Sequence, residues 1–571
     1  MWSVSKGRRV LSEQVDNLRV RAEASVTLLH RTGMLEAMTF RSLVELAKVT
    51  LSKSQNPSRY YSVHARTLPH RPALVWRGAT TTWAELEDRI DRLAAGLLRC
   101  GVGPRERVIL MMRNRPELVE LTAASARGGA AAVTISWRST AEELAYLAEH
   151  SGARAIVTEP ELFGIVEKAS DKLSATLRSN VFVTTRGSSS TSGAPLGFAA
   201  RPFEALLQGR SVRRKAVEDE DAAVVVYTSG TTGKPKGAVR KFPKNTSLAG
   251  MQFINETPMR VDDVHLVTCP LYHSTAFGFL TFTHVLGGTA VILEEFKPED
   301  FLAAIERHRV TTTAVVPTML HRVMQLPEEV RRRYDTSSLR AVFSGGAPLP
   351  GPLAVDFMNA FGDVLFNFYG ATETGLVTLA KPADLRAAPG TIGRAIPGSH
   401  IRLLDASGRD ARPGEVGELF VKNNLLVSGY HGDDAATRAS VVDGFFSVGD
   451  LARCDTGGRY FIEGRKRDMI ISGGVNVYPA EVEAVLEQHP DVSEVAVVGL
   501  VDREWGERVC AFVVPVDLSR FDEASLLAFA RAKLSGPKVP RSIVVLDALP
   551  RNPTGKVLKR ELRQQFKDKN S

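Results

Sequence analysis

From about residue 61 onward, short runs of β-branched and aliphatic residues alternate with amphipathic stretches of helical length. Residues 72–76 read as a strand and 81–98 as a helix with Thr82 at its N-cap. Residues 108–111 form the next strand, followed by a helix over 116–127 that ends at Gly128 and Gly129. The theme repeats in the strand 131–135, the helix 141–150 and the strand 155–157. Such alternation predicts parallel sheets, because a chain returning to start a parallel neighbour needs a crossover of helical length. The serine-rich residues 187–197 read as a surface loop.

Residues 224–237, VVVYTSGTTGKPKG, place a buried strand directly before hydroxyls, glycines and two lysines. Thr228, Ser229, Thr231 and Thr232 supply hydroxyls, while Gly230, Gly233 and Gly237 permit close backbone approach. Lys234 and Lys236 add positive charge, so the stretch suits phosphate oxygens. It is not the common nucleotide P-loop, which needs four residues between its glycines and a Ser/Thr directly after the lysine. The bland alternative is a polar surface loop.

Further strands are expected at 264–268, 290–293, 312–316, 339–343 and 364–368, with a helix at 298–308. Two of these strands also run into glycine-rich stretches, SGGAP at 344–348 and YGATETG at 369–375. In parallel α/β sheets ligands bind beyond the carboxyl ends of strands, so these loops are candidates for one site. Beyond Pro389, short strands at 401–404 and 417–421 predict a small β subdomain. After GRKRDMIISGG at 464–474 a compact α+β pattern runs on: helix 479–488, strands 492–498 and 509–514, helix 523–534, strand 543–546.

The fold class expected is therefore α/β: a large N-terminal domain of layered, mostly parallel sheets with a small β subdomain, then a small mobile α+β C-terminal domain. We divide the chain into an N-terminal extension at 1–60, a main domain at 61–464, a charged hinge at 465–468 and the C-terminal domain at 469–571. A length of 571 residues supports several cores. The net charge of +9 is moderate for that size, and no zinc-finger or aromatic–basic motif points to nucleic acid. Cys100, Cys269, Cys454 and Cys510 stand far apart with no C-x-x-C pair, which argues against a disulfide framework and fits a reducing cytoplasm. No run of 18 apolar residues occurs, and residues 277–293, the nearest, are interrupted by threonines, His284 and two glycines.

Residues 1–60 carry ten Lys/Arg against five Asp/Glu. Leu35, Met38, Leu43, Leu46 and Val49 recur near helical spacing. Two readings follow: a basic amphipathic segment making peripheral contact with an anionic membrane, or a helical pair packed on the main domain. The modest charge density favours packing.

YTSGTTGKPKG, SGGAP, YGATETG, SVGD, GRKRDMIISGGVNVYPAEVE and PRNPTGK occur in the order and spacing of the adenylate-forming superfamily. That family includes acyl-CoA synthetases, luciferase-like enzymes and peptide-synthetase adenylation domains. The resemblance spans roughly residues 60–560 and is nearest to bacterial fatty-acid–CoA ligases. It implies an enzyme that joins a medium to very long fatty acid to CoA through an acyl-AMP, with ATP and CoA as co-substrates and Mg²⁺ as cofactor.

The resemblance also implies roles for particular residues. Thr228, Ser229, Gly230, Thr231, Thr232, Gly233 and Lys236 would hold the β- and γ-phosphates. Tyr369 would stack on adenine, with Gly345, Gly346, Ala347 and Gly370 close by. Glu373 would bind Mg²⁺ and Thr372 the α-phosphate. Asp450 and Arg465 would hold the ribose hydroxyls. Lys556 would be the catalytic lysine, its ammonium stabilising the crowded anionic transition state. Arg467 would be the hinge, standing where the family more often has Asp or Lys. Rotation there would withdraw Lys556 and bring Ser472, Gly473 and Gly474 to the CoA passage.

LYHSTAFGF at 271–279 matches the family's acyl-pocket segment, with Tyr272, His273, Phe277 and Gly278 as its candidate residues. His273 would border the carboxylate. Amino-acid-activating relatives carry an aspartate in this segment, and none stands here. The alternatives are an aryl-CoA ligase, a ligase loading a separate carrier protein, and a non-catalytic acyl- or nucleotide-binding protein. The last is disfavoured by the presence of both Glu373 and Lys556.

Overall fold

The computed structural model describes residues 20, 22–37, 39–50, 56–185, 200–209, 223–228, 236–241, 246–426, 437–438, 440–503, 505–551 and 557–570. Two units emerge. The first comprises Met1–Ala314, Glu328–Val342 and Asn424–Thr437, and the second Val315–Pro327, Phe343–Asn423 and Arg438–Ser571.

In the first unit a seven-stranded sheet takes the order Arg201–Pro202, Val181–Val183, Ala155–Thr158, Arg107–Met111, Ala131–Thr134, Ala223–Thr228, Lys236–Lys241. All neighbours are parallel except the last pair, which is an antiparallel hairpin. The strands Ala155–Thr158 and Ala131–Thr134 are buried at every position and Arg107–Met111 at all but Arg107, as expected where helices cover both faces. Ile109, Val133, Ile156 and Val181 pack against Leu144, Leu147 and Val166 of the covering helices, all nearly inaccessible to solvent. Each such side chain contributes about 1.5–3 kcal/mol relative to exposure. The helix expected at 81–98 runs Trp83–Arg99, and Thr82 closes a reciprocal capping box with Glu85. The helix Pro116–Gly128 ends at Gly129, whose φ of 75° is left-handed.

A second set of parallel strands in this unit pairs Pro72–Trp76 with Thr289–Ile292, and Thr289–Ile292 with Val264–Val267. Residues 265–267 pair in turn with 312–314. The described part of the N-terminal extension packs on this unit. Asn255 Nδ2 donates to Ala24 O at 3.0 Å, Arg31 donates to Asn255 O, and Val261 N donates to Thr32 O at 3.0 Å. No helix among the described residues is long and apolar enough to cross a membrane.

The second unit is largely antiparallel. Strand Leu365–Ala371 pairs with Gly375–Ala380. A five-stranded sheet joins His400–Leu404, Val416–Lys422, Phe445–Cys454, Val441–Val442 and Tyr460–Arg465. Another contains Val475–Val477, Ile470–Ser472, Gly506–Pro515, Val492–Asp502 and Ser542–Val545, covered by Pro479–Leu486 and Glu523–Lys533. The mixed α/β fold, with parallel sheets in its large N-terminal part and a smaller C-terminal domain, is the one expected.

The structure corrects two local readings and adds one element. YGATETG is not a loop beyond a parallel strand: the strand continues through Tyr369, Gly370 and Ala371, then turns back at Gly375. Lys236 lies in a strand, opposite Thr228, because the chain after 228 returns antiparallel. Residues 274–286, to which the sequence reading assigns no element, form a helix, Ser274–Leu286. An apolar run with no charged residue and no exposed position lacks the polar face that marks helical period.

Candidate active site

In the second unit three nucleotide-side candidates, Tyr369, Asp450 and Arg465, meet at one carboxylate. Register in the five-stranded sheet places Asp450 directly opposite Arg465. Arg465 Nε lies 3.1 Å from Asp450 Oδ1, and the Tyr369 hydroxyl donates to Asp450 Oδ2 at 2.7 Å. Burial, followed by the Asp450 charge and this hydrogen bond, pushes the Tyr369 phenol far above its ordinary range. Tyr369 is therefore a fixed neutral donor with its ring held in place. Gly449, inside the strand just before Asp450, takes a left-handed φ of 80°, and its N–H donates to Ser447 Oγ at 3.0 Å.

Thr372 and Glu373 form the tip of the adjoining hairpin. Ala371 N donates to Thr374 Oγ1 at 3.1 Å, and Asn423 Nδ2 braces Thr374 O at 3.1 Å. Gly370 allows the strands to close, since a Cβ there would stand 2.1 Å from Gly375 O. Gly345 and Gly346 follow the strand Ala341–Ser344, and Ala347 comes next. A Cβ on Gly345 would stand 2.4 Å from the Phe368 ring, so this glycine is required by its protein neighbour.

The hinge candidate lies in a short 3₁₀ turn, Lys466–Asp468, between two sheets of the unit. Lys466 reaches Glu418 at 2.8 Å, and Asp468 meets Arg563 of the last helix at 3.2 Å. Burial, then the neighbouring Arg465 charge, lowers the Arg467 pKa. Ser472 is fully buried, and Gly473 and Gly474 turn the hairpin after it at φ 58° and 78°. Gly473 N donates to Trp505 O at 2.8 Å, and the Trp505 ring lies against Gly473 with the Arg541 guanidinium 4.0 Å from its centroid. Sequence reasoning did not single out Trp505, because its partners stand about 30 residues away on either side.

Lys556 lies outside the described residues, as do Ser229, Gly230, Thr231, Thr232 and Gly233. The chain on both sides of Lys556 is anchored. Arg551 and Val557 form an antiparallel bridge, Arg551 pairs with Glu494 at 3.2 Å, and Lys559 with Glu483 at 2.7 Å. Glu487, half-buried nearby, has its carboxyl pushed up to about 8 by burial and then by the Glu483 charge.

In the first unit, Tyr272 is buried and its ring centroid lies 4.1 Å from that of His273, the N-cap of the helix Ser274–Leu286. Phe277, one turn on, lines a cavity of about 30 Å³ with Tyr61, Val119, Ala123 and Val285. A Cβ on Gly278 would meet nothing within 4 Å. No Asp or Glu stands between 271 and 286. Behind this segment lies a residue that sequence reasoning missed. Asn114, 4% exposed, bonds to Leu271 N, Cys269 O and Leu293 O. The only local signal was an asparagine just before the helix-starting Arg-Pro.

Comparison with known proteins identifies the family of the chain. Residues 61–431 match the AMP-binding enzyme family, and residues 481–556 the AMP-binding enzyme C-terminal domain. Feruloyl-CoA synthase of an Amycolatopsis species is 36% identical over 519 residues, covering 88% of this chain and 97% of the relative. The long-chain-fatty-acid–CoA ligase FadD13 of Mycobacterium tuberculosis is 31% identical over 489 residues, covering 85% and 93%. The anthranilate CoA ligase AuaEII, solved with anthranoyl-AMP, superposes at a TM-score of 0.81 with 25% identity, covering 90% of this chain and 98% of that one. The chain belongs to the AMP-binding enzyme family and, within it, to the adenylate-forming acyl- or aryl-CoA ligases.

Proposed function

We propose that this protein activates a carboxylic acid with an uncharged apolar body, forms its acyl-adenylate from ATP with release of pyrophosphate, and transfers the acyl group to CoA with release of AMP. The observation that carries the reading is the Tyr369–Asp450–Arg465 contact. An aromatic ring and a carboxylate held by an arginine suit the base and ribose of a nucleotide. In this reading Asp450 and Arg465 hold the ribose hydroxyls and Tyr369 the adenine, with Gly345, Gly346, Ala347 and Gly370 beside it. Thr372 meets the α-phosphate, and Thr228, Ser229, Gly230, Thr231, Thr232, Gly233 and Lys236 the phosphates that leave. Lys556 stabilises the transition state in which the acid's oxygen attacks phosphorus.

Glu373 fits Mg²⁺ that arrives on ATP. Among the described residues no group of three or more His, Cys, Asp or Glu could hold an ion unaided. Mg²⁺ is commonly bound by one or two carboxylates while phosphates and water complete its shell. Bound there, the ion would offset charge on the phosphate oxygens.

The absence of acidic side chains along Tyr272, His273, Phe277 and Gly278 supports an acid without an ammonium group. An aryl acid is favoured by the likeness to feruloyl-CoA synthase and to the anthranilate ligase. A fatty acid is the second reading, supported by the likeness to FadD13 and by the open space beside Gly278. Arg467 is the proposed hinge, and the Ser472–Gly473–Gly474 turn the proposed CoA passage.

Pyrophosphate release measured against aryl and alkyl acids of graded length, with and without CoA, tests the proposal. We expect acid-dependent release, and acyl-CoA only when CoA is added. Acid-independent turnover, or acyl-AMP that CoA leaves untouched, would overturn it.

A further inference from the structure

Pro270 interrupts the segment that leads to His273, and proline has no N–H to offer a neighbouring strand. The residues flanking it keep their backbone groups, and both are taken up by one side chain. Asn114 Oδ1 accepts from Leu271 N at 2.7 Å, while Asn114 Nδ2 donates to Cys269 O at 3.0 Å. The second hydrogen of the same nitrogen is directed to Leu293 O, 3.1 Å away. Cys269 and Leu293 follow two adjacent parallel strands, Val264–Val267 and Thr289–Ile292. Asn114 itself stands just after Arg107–Met111, a strand of the other sheet of this unit.

A carboxamide is suited to this place. It pairs with the backbone on either side of Pro270 as a strand would, and its remaining donor ties in a third segment. Carboxylate has no donor, and serine is too short to span all three groups. Thr134, at the end of a strand of the same sheet, and Ser136, in the loop just beyond it, hold the next residue: Thr134 Oγ1 donates to Tyr272 O at 3.2 Å, and Ser136 Oγ donates to the Tyr272 hydroxyl at 3.3 Å. Asn114 is buried at 4% exposure, so water does not replace it readily.

We infer that Asn114 is a positioning residue for the acid: it sets the place of Tyr272, His273 and the start of the helix Ser274–Leu286 without touching substrate. This rests on the reading that the Tyr272–Gly278 stretch borders the acid. Displacing a positioned group by even one ångström costs up to about a hundredfold in rate. The loss should fall on the acid, because Asn114 bonds to no residue assigned to the nucleotide.

The test is ATP–pyrophosphate exchange with ferulate, anthranilate and dodecanoate as probe acids, on the full chain, with acid and ATP varied separately. Asn114→Asp, which keeps size and removes both donors, should raise KM for the acid about tenfold or more and leave KM for ATP within about twofold. Thr134→Val, a milder change that keeps falsifiability if the first variant does not fold, should shift the acid KM in the same direction by a smaller factor. An unchanged acid KM, or equal rises for acid and ATP, overturns the positioning role. Absence of exchange in the unaltered protein with every acid overturns the ligase reading, and this inference with it.

Discussion

Tyr369 and Asp450, 81 residues apart in sequence, are joined by a 2.7 Å hydrogen bond that leaves the phenol neutral and its ring fixed. Arg465 takes the other oxygen of the same carboxylate. Asp450→Asn keeps an acceptor for Tyr369 but sets an amide nitrogen or a neutral oxygen against Arg465. Bonds to charged groups are worth about 1.5–3 kcal/mol, so KM for ATP should rise about ten- to hundredfold. Saturation kinetics with varied ATP at fixed acid checks this, and an unchanged KM would remove Asp450 from the nucleotide site.

Lys556→Ala should abolish acyl-adenylate formation and spare thiolysis of preformed acyl-AMP, since only the first step builds negative charge at phosphorus beside an attacking carboxylate. Single-turnover assays of the two half-reactions separate them. Equal losses in both would contradict the assignment.

Two glycines should respond in opposite ways. Gly370→Ala forces a methyl to within 2.1 Å of Gly375 O, a backbone atom with no freedom to yield, and should cost about 1–3 kcal/mol or more. Gly278→Ala enters open space and should leave the melting temperature nearly unchanged. Gly278→Leu should narrow acceptance of bulky acids while stability holds. Thermal melts and an acid panel measure the three variants, and unaltered selectivity in Gly278→Leu would place the acid elsewhere.

Glu487 supplies a pH dependence with a defined sign. Its carboxyl titrates near 8 in the folded chain, above its ordinary value of 4.5, so the protonated form is the one the fold favours. The stability it contributes is present below about pH 4.5 and is lost as pH rises through 8. Glu487→Gln should raise the urea midpoint at pH 8 more than at pH 5. A variant with the same pH profile as the unaltered protein would show that Glu487 does not titrate in this window.

Sequence by itself determined the α/β class, the capped helix after Thr82, the order of the nucleotide motifs and the family to which they belong. These are local matters: periodicity, capping and turn chemistry act within a few residues of chain. Tertiary structure decided what the motifs could not. It turned YGATETG into a hairpin, because the strand holding Tyr369 found an antiparallel partner in Gly375–Ala380. It brought the Tyr369 hydroxyl and Arg465 onto one carboxylate through strand register. It also recruited Asn114 to the backbone around Pro270, 156 residues on. Hydrogen bonds across such separations depend on which sheets pack together, and that choice is made by the buried surface of the whole unit rather than by any short stretch.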